Sequence, residues 1–285
     1  MAARPRTLPA GAAPVVIGTA AAYAHGGFHA LSAACALLGS ILLQIGVNYA
    51  NDYSDFVNGA DTATRVGPTR ATQAGLVAPH TMRNAAILVF LLAIAPGSYL
   101  VFRGGMVYVA VGVAAILIAL LYTGGPVPLG YLGLGDALVL LFFGPVAVVG
   151  AFHAQTLTTT PAVWIASLGP GLLAVALLTV NNLRDIDEDR QAGKRTLAVR
   201  LGASFARFEY ACCIIVPGLV IPMVLFSLTG NRLFPLTPLA VLPLGVHAIR
   251  AVYDAPDAPA LIRVLGATGR LLAVFSLVFS LGWLV

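Results

Sequence analysis

The chain has 285 residues, of which 59% are hydrophobic and only 9% are charged, and its mean hydropathy is +0.91. A soluble domain has about 25% charged residues, so the composition excludes an ordinary soluble protein and predicts a polytopic membrane protein. The net charge of +5 does not indicate nucleic-acid binding, because the basic residues follow a membrane topology.

Apolar segments of roughly 20 residues recur along the whole chain, which is the length that a helix needs to cross a bilayer. We predict an all-α protein with nine transmembrane helices, the first of them retained as a span. The predicted spans are 8–24, 31–50, 84–102, 105–122, 134–152, 162–182, 208–229, 233–250 and 267–285.

The basic residues of the loops predict the orientation. With the N-terminus in the cytoplasm, 14 Lys and Arg residues fall on the inner side and 2 on the outer side. Inner loops of membrane proteins are enriched in these residues. We therefore expect a plasma-membrane protein with its N-terminus inside and its C-terminus outside.

Two acidic motifs follow the second and sixth spans, both on the predicted cytoplasmic side. The first runs from Asn48 to Asp55 with Asp61 shortly after, and the second runs from Asn181 to Asp189. Together they hold 7 of the 11 acidic residues, which is a costly concentration of charge beside a bilayer. The motifs are therefore candidate sites rather than ordinary loops.

Within each motif, oxygen-bearing side chains recur every four residues, so that they share one helix face. The pairs are Asn48 and Asp52, Asn51 and Asp55, and Asp185 and Asp189, with Asn181 one turn before Asp185. Oxygen ligands suit Mg²⁺, which shares its coordination shell with substrate phosphates. Two facing rows could clamp a diphosphate, whereas solvated helix caps would not explain the repeated spacing.

Other polar residues complete the candidate site. Lys194, Arg65 and Arg70 follow the two motifs and are natural partners for phosphate oxygens. Asp136 begins the fifth span, and an acid at that depth is a candidate by default. Tyr122 could line a cavity and face a cation.

The two motifs predict an internal duplication. Asp55 and Asp189 are 134 residues apart, and four spans separate one motif helix from the next. We expect a single domain over 1–285, made of two four-helix halves, about 8–122 and 134–250, and a final helix.

Several segments resemble the UbiA superfamily of intramembrane aromatic prenyltransferases, and within it the branch that acts on 1,4-dihydroxy-2-naphthoate in menaquinone synthesis. They are Arg4–Pro9, Asn48–Asp55, Gly67–Thr72, Tyr122–Pro126, Gly130–Gly135, Phe142–Val148 and Asn181–Gly202. The resemblance implies a nine-helix bundle around a central cavity. One departure is Asp136, where this family commonly has Glu.

The resemblance also implies roles for the motif residues. Asn51, Asp55, Asp185 and Asp189, with Asp61, would hold Mg²⁺, and Asp52, Asp55, Asp185 and Asp189 would be the catalytic acids. Substrate and diphosphate contacts would come from Asn48, Asn51, Arg65, Arg70, Asn181, Lys194, Tyr122 and Asp136. The implied reaction transfers a polyprenyl group from an allylic diphosphate to 1,4-dihydroxy-2-naphthoate, with loss of CO₂.

Three alternatives remain open at this point. A sister prenyltransferase would use 4-hydroxybenzoate, a porphyrin or a lipid glycerol as acceptor. A cation-coupled transporter also has repeats and broken helices, although its ion site usually lies near the membrane midplane. A CDP-alcohol phosphotransferase pairs acids with metal, but within one compact motif. The sequence is also compatible with a homo-oligomer.

Overall fold

The computed structural model describes residues 2–59, 70–125, 128–230 and 232–284, and in these ranges the chain is helical and contains no strand. The main apolar helices are α1 (Leu8–Ala24), α2 (Ala30–Val57), α3 (Pro79–Gly104), α4 (Val107–Thr123), α5 (Gly135–Thr156), α6 (Pro161–Arg184), α7 (Ala203–Leu228), α8 (Phe234–Tyr253) and α9 (Ala258–Trp283). Two short helices, Ile186–Gln191 and Leu197–Leu201, connect α6 to α7.

Seven of these helices are long and apolar enough to cross a membrane. The other two, α1 and α4, have 17 residues each, or about 26 Å at 1.5 Å per residue, slightly less than a typical hydrocarbon core. The predicted all-α membrane fold is confirmed. That α1 and α4 also cross the bilayer, and with them the count of nine spans, stays a prediction.

Capping residues and prolines explain where several helices begin. The Thr160 hydroxyl accepts a hydrogen bond from the Val163 amide at the start of α6, and Asp257 caps α9 through the Ala260 amide. Inside α5 and α7, the segments Phe142–Val146 and Val216–Val220 are single π-helical turns. Each contains a proline, which cannot donate the normal helical hydrogen bond.

Helix α6 is the central element, since it packs against α1, α5, α7 and α9. Its buried residues, among them Leu173 and Val180, join a core that also includes Ile17, Phe152 and Phe275. The polar pair Tyr210–Thr268 joins α7 to α9 with a hydroxyl–hydroxyl distance of 2.7 Å. Because the second acidic motif begins at the end of α6, this packing determines where that motif lies.

The helix ends differ from the predicted spans where the sequence becomes polar. Helix α2 continues to Val57 beyond the predicted 50, α7 begins at Ala203 before 208, and α9 begins at Ala258 before 267. Hydropathy falls at polar residues even when the backbone stays helical. The extension of α2 is important because it makes the whole first motif helical.

A cavity of about 1280 Å³ lies at the end of the bundle opposite to the acidic motifs. Its lining includes Phe152, Arg232 and Trp283, and it touches the start of α6 rather than the end that carries the second motif. This cavity is therefore separate from the central cavity that the resemblance implies.

Candidate active site

The first motif lies on the last turns of α2 and presents two buried acids. Asp52 is 1% exposed and Asp55 is 4% exposed. Asp52 accepts hydrogen bonds from the Ala71 amide at 3.1 Å and from the Thr72 amide at 3.0 Å. Its carboxylate therefore binds the backbone of the segment that leads into α3.

Asp55, one turn further along α2, forms an ion pair with Arg70. The Arg70 Nη2 donates to Asp55 Oδ2 at 2.5 Å, and both side chains are largely buried. A guanidinium held here lies where the sequence predicted a phosphate contact. The structure thus brings together one predicted metal ligand and one predicted phosphate ligand.

The two asparagines of the first motif have separate contacts. The Asn48 amide nitrogen donates to the Ala3 carbonyl at 3.0 Å and to the Thr7 hydroxyl at 3.3 Å. The Asn51 side-chain oxygen accepts from the Thr123 hydroxyl at 3.0 Å. Asn48 therefore anchors the N-terminal segment, while Asn51 connects α2 to the end of α4.

The second motif is not one continuous helix, which differs from the prediction. Helix α6 ends at Arg184, Asp185 has φ −95° and ψ 11°, and a new helix begins at Ile186. The Asp189 amide still donates to the Asp185 carbonyl at 2.7 Å. Asp185 and Asp189 therefore remain one turn apart, but the helix axis is interrupted between α6 and the second acid.

Asp185 and Asp189 each pair with a basic side chain. Arg184 binds Asp185 through two hydrogen bonds of 2.6 Å, and the Lys194 ammonium lies 3.4 Å from Asp189. Asn181 donates its side-chain amide to the Leu177 carbonyl of its own helix at 3.0 Å. A carboxylate has about four lone-pair positions, so both acids can still bind a further cation.

Lys194 connects the two motifs electrostatically. Burial alone lowers the pKa of its ammonium, but the carboxylates of Asp189 and Asp55 and the nearby Tyr131 more than offset this, so the pKa is raised above its usual value. The ammonium also lies 5.3 Å from the centre of the Tyr131 ring. The contact with Asp189 is direct, whereas Asp55 acts on the ammonium only through its charge, so the two motifs lie at the same end of the bundle.

Tyr122 lies at this end of the bundle, beside the start of α5. Its hydroxyl lies in the electrostatic field of Asp136, Asp189 and Asp55. The ring is held against the start of α5, where a Cβ on Gly135 would lie 2.7 Å from the Tyr122 oxygen. The predicted substrate residues Tyr122 and Asp136 therefore lie close together, and Thr123, which follows Tyr122, contacts Asn51 of the first motif.

The UbiA prenyltransferase family model matches residues 12–272 of this sequence. The chain belongs to the UbiA prenyltransferase family. The match covers both acidic motifs and the whole segment between them.

Curated relatives in the family are similar over nearly the whole chain. The 1,4-dihydroxy-2-naphthoate octaprenyltransferase of Escherichia coli strain K12 is 39% identical over 98% of this chain and 92% of its own length. The protein of the same name from Mycobacterium tuberculosis is 41% identical over 96% of this chain and 92% of its own. The similarity is therefore not confined to one half of the chain.

The fold is also that of solved UbiA proteins. A UbiA homolog from Archaeoglobus fulgidus bound to GPP and Mg²⁺ superposes with a TM-score of 0.62 at 17% identity, covering 99% of this chain and 98% of the other. At this low identity the likeness establishes the fold alone.

The donor atoms at the site fit Mg²⁺. They are carboxylate and amide oxygens, which are the ligands that Mg²⁺ prefers. Asp55 and Asp189 already pair with cations, Arg70 and Lys194 respectively. Among the described residues no three His, Cys, Asp or Glu side chains are close enough to hold a metal alone. Mg²⁺ usually keeps waters and phosphate oxygens in its shell, so two or three protein oxygens are sufficient. The predicted residues Asp61 and Arg65 lie outside the described ranges.

The sequence reasoning overlooked Glu209, which lies on α7 near Asp136. Glu209 is partly buried on α7, which packs against α6, and the charge of Asp136 acts on it electrostatically. The Oδ1 of Asp136 is buried and has no hydrogen-bond partner in the described part of the chain. A lone acid inside a predicted membrane span was the signal that could have identified Glu209.

Proposed function

We propose that this chain transfers a polyprenyl group from an allylic polyprenyl diphosphate to 1,4-dihydroxy-2-naphthoate. The observation that carries the proposal is an identity of about 40% with naphthoate octaprenyltransferases over nearly the full length of the chain. The ion pairs of Asp55 with Arg70 and of Asp189 with Lys194 are consistent with a diphosphate site. The paired acidic and basic side chains suit a diphosphate donor. The curated relatives support 1,4-dihydroxy-2-naphthoate as the acceptor.

The donor diphosphate binds between the two motifs. Asn51, Asp55, Asp185 and Asp189 would hold Mg²⁺, with Asp61 as a further candidate ligand. Arg70 and Lys194 contact the diphosphate oxygens, with Arg65 as a further candidate. When bound, Mg²⁺ neutralises the diphosphate and makes it a better leaving group.

Lys194 and Arg70 have two tasks in this proposal. In the absence of substrate they balance Asp189 and Asp55. When the diphosphate enters, their N–H groups turn toward phosphate oxygens that carry more charge than one carboxylate. They therefore bind the donor and stabilise the charge that develops on the leaving diphosphate.

The acceptor ring lies on the side of Tyr122 and Asp136. The C–O bond of the donor breaks to leave an allylic cation, and the electron-rich ring forms a C–C bond with the prenyl carbon. The carboxylate of the acceptor leaves as CO₂, so its bonding electrons restore the aromatic ring and the product is a demethylmenaquinol. The packed helices exclude water, which would otherwise trap the cation.

The membrane location follows from the donor. A polyprenyl tail is apolar and long, so a donor of this kind partitions into lipid while its diphosphate stays at the surface. With the N-terminus and both motifs on the cytoplasmic side of the plasma membrane, the diphosphate site faces the compartment that supplies soluble substrates. We also propose that residues 1–285 form a single domain made of two four-helix halves and a final helix.

An acceptor panel with the purified, detergent-solubilised protein tests the function. With octaprenyl diphosphate and Mg²⁺, 1,4-dihydroxy-2-naphthoate should yield prenylated product and diphosphate, whereas 4-hydroxybenzoate should not. Product formed with 4-hydroxybenzoate but not with 1,4-dihydroxy-2-naphthoate would assign the chain to a sister activity. Diphosphate release in detergent, where no ion gradient exists, also separates an enzyme from a transporter.

A further inference from the structure

Asp52 has different contacts from the other acids of the motifs. Both of its oxygens accept hydrogen bonds from consecutive backbone amides, Ala71 to Oδ2 and Thr72 to Oδ1. Asp52 is 1% exposed, and Ala71 and Thr72 are 4% and 3% exposed. Hydrogen bonds from amides to an ionised carboxylate are among the stronger ones in proteins. Asp52 is therefore well suited to hold this segment in a fixed place.

The segment held by Asp52 begins with Arg70, the residue that binds Asp55. Asp52 and Asp55 are three residues apart and share one face of α2. The chain after Arg70 closes into a compact turn, with the Ala74 amide donating to the Arg70 carbonyl at 3.0 Å and the Leu76 amide donating to the Ala71 carbonyl at 3.0 Å. Asp52 and Asp55 thus bind the same turn. Asp52 binds two backbone amides of the turn, and Asp55 binds the Arg70 side chain.

We infer that Asp52 is a positioning residue for the donor, which acts by holding Arg70 beside Asp55, and that it contacts neither Mg²⁺ nor substrate. The inference rests on the proposed function in that the group contacted by Arg70 is a diphosphate. It replaces the catalytic role that the sequence assigned to Asp52. Because Asp52 is 1% exposed, a metal could reach the remaining lone pairs of its carboxylate only if the turn bound to it moved.

Fixing Arg70 in advance has a physical benefit for donor binding. A long arginine side chain on an unanchored loop loses rotamer freedom when it binds a phosphate. Here the backbone that carries the side chain is held before the donor arrives. The free-energy cost of ordering Arg70 when the donor binds is therefore smaller, which increases the affinity for the donor.

The experiment combines Asp52→Asn, Arg70→Gln and the double variant in the full-length protein in detergent. The side-chain amide introduced by Asp52→Asn would turn an N–H group toward a backbone N–H, which breaks one of the two hydrogen bonds. We expect each single variant to raise the KM for octaprenyl diphosphate and the Kd for Mg²⁺–pyrophosphate about tenfold. The acceptor KM should stay within about twofold, because the turn lies at the donor side.

The double variant separates positioning from metal binding. If Asp52 acts through Arg70, adding Asp52→Asn to Arg70→Gln changes donor binding by less than about twofold. The Mg²⁺ concentration for half-maximal binding of pyrophosphate should then equal that of Arg70→Gln. Additive losses together with a higher Mg²⁺ requirement would overturn the inference and make Asp52 a metal ligand, and unchanged donor binding in Asp52→Asn would also overturn it.

A control and a second variant keep the test decisive. Asp187→Asn removes an exposed acid of the second motif that pairs with Arg190 at 2.9 Å, and it should leave all constants unchanged. If Asp52→Asn does not fold, Asp52→Glu keeps the charge but displaces the turn by one methylene. It should raise the pyrophosphate Kd several-fold, and faster hydrogen exchange at the Ala71 and Thr72 amides should accompany that change. Slow exchange with normal affinity in Asp52→Glu would contradict the inference.

Pyrophosphate binding also keeps this inference separate from the proposed function. A wild-type protein that does not prenylate the naphthoate but binds Mg²⁺–pyrophosphate through Asp52 and Arg70 would refute the function and retain the inference. A wild-type protein that prenylates the naphthoate, with Asp52 and Arg70 acting independently, would do the reverse.

Discussion

The Lys194 ammonium lies 3.4 Å from the Asp189 carboxylate while also interacting with Asp55, which is 134 residues away from Asp189 in the sequence. The charged ends of α2 and α6 therefore lie at the same end of the bundle. The Asp189 and Asp55 carboxylates offset the cost of partly burying the Lys194 ammonium.

Removing either of the two converging acids should abolish prenyl transfer. We expect Asp55→Ala and Asp189→Ala each to lower kcat/KM at least about 100-fold, because each removes the carboxylate of an ion pair and a proposed metal ligand. Initial rates with octaprenyl diphosphate and 1,4-dihydroxy-2-naphthoate measure the effect. Asp187→Ala, which removes an exposed acid, is the matched control, and full activity in either test variant would contradict the assignment.

Lys194 should act on donor binding more than on acceptor binding. Lys194→Gln keeps a polar side chain but removes the charge, so we expect the KM for the polyprenyl diphosphate to rise about 10- to 100-fold. The acceptor KM should change little. Arg190→Gln removes an exposed cation from the same connection between α6 and α7 and should behave as the wild type. An equal rise in both KM values would instead indicate a general loss of structure.

Metal removal should prevent both catalysis and diphosphate binding. In excess EDTA we expect no prenyl transfer, and added Mg²⁺ should restore it. Independently of activity, pyrophosphate should raise the melting temperature of the protein only when Mg²⁺ is present, because ligand binding stabilises the folded state. Thermal stabilisation by pyrophosphate in EDTA would show that the basic residues suffice without metal.

The contact between Gly135 and Tyr122 should control the acceptor side. A methyl group at Gly135 would lie 2.7 Å from the Tyr122 oxygen, so Gly135→Ala must displace that ring. We expect the acceptor KM to rise several-fold, on the order of 1 kcal/mol in binding, with little change in the donor KM. Gly150→Ala in the same helix meets no atom within 4 Å and is the matched control. A normal acceptor KM in Gly135→Ala would remove Tyr122 from the acceptor site.

Hydropathy and residue spacing predicted much of the fold and part of the site. Long apolar segments indicate membrane helices because backbone groups in lipid must be paired within the segment. The four-residue spacing of Asn51 and Asp55 predicted one helix face, and α2 is indeed helical through both residues. Glu209 was overlooked because a single acid has no spacing to reveal it, and its electrostatic interaction with Asp136 arises only when the helices pack.

The sequence by itself determined the membrane class, the all-helical fold and the two acidic motifs, since these depend on local composition and on periodicity along one segment. Only the tertiary structure decided that Asp52 holds the Ala71–Thr72 backbone, that Asn48 holds the N-terminal segment and that the second motif breaks at Asp185. The physical reason is that a carboxylate or an amide can bind a metal, a phosphate or a backbone group equally well. Its partner is decided by what the packing of distant helices brings within hydrogen-bonding distance.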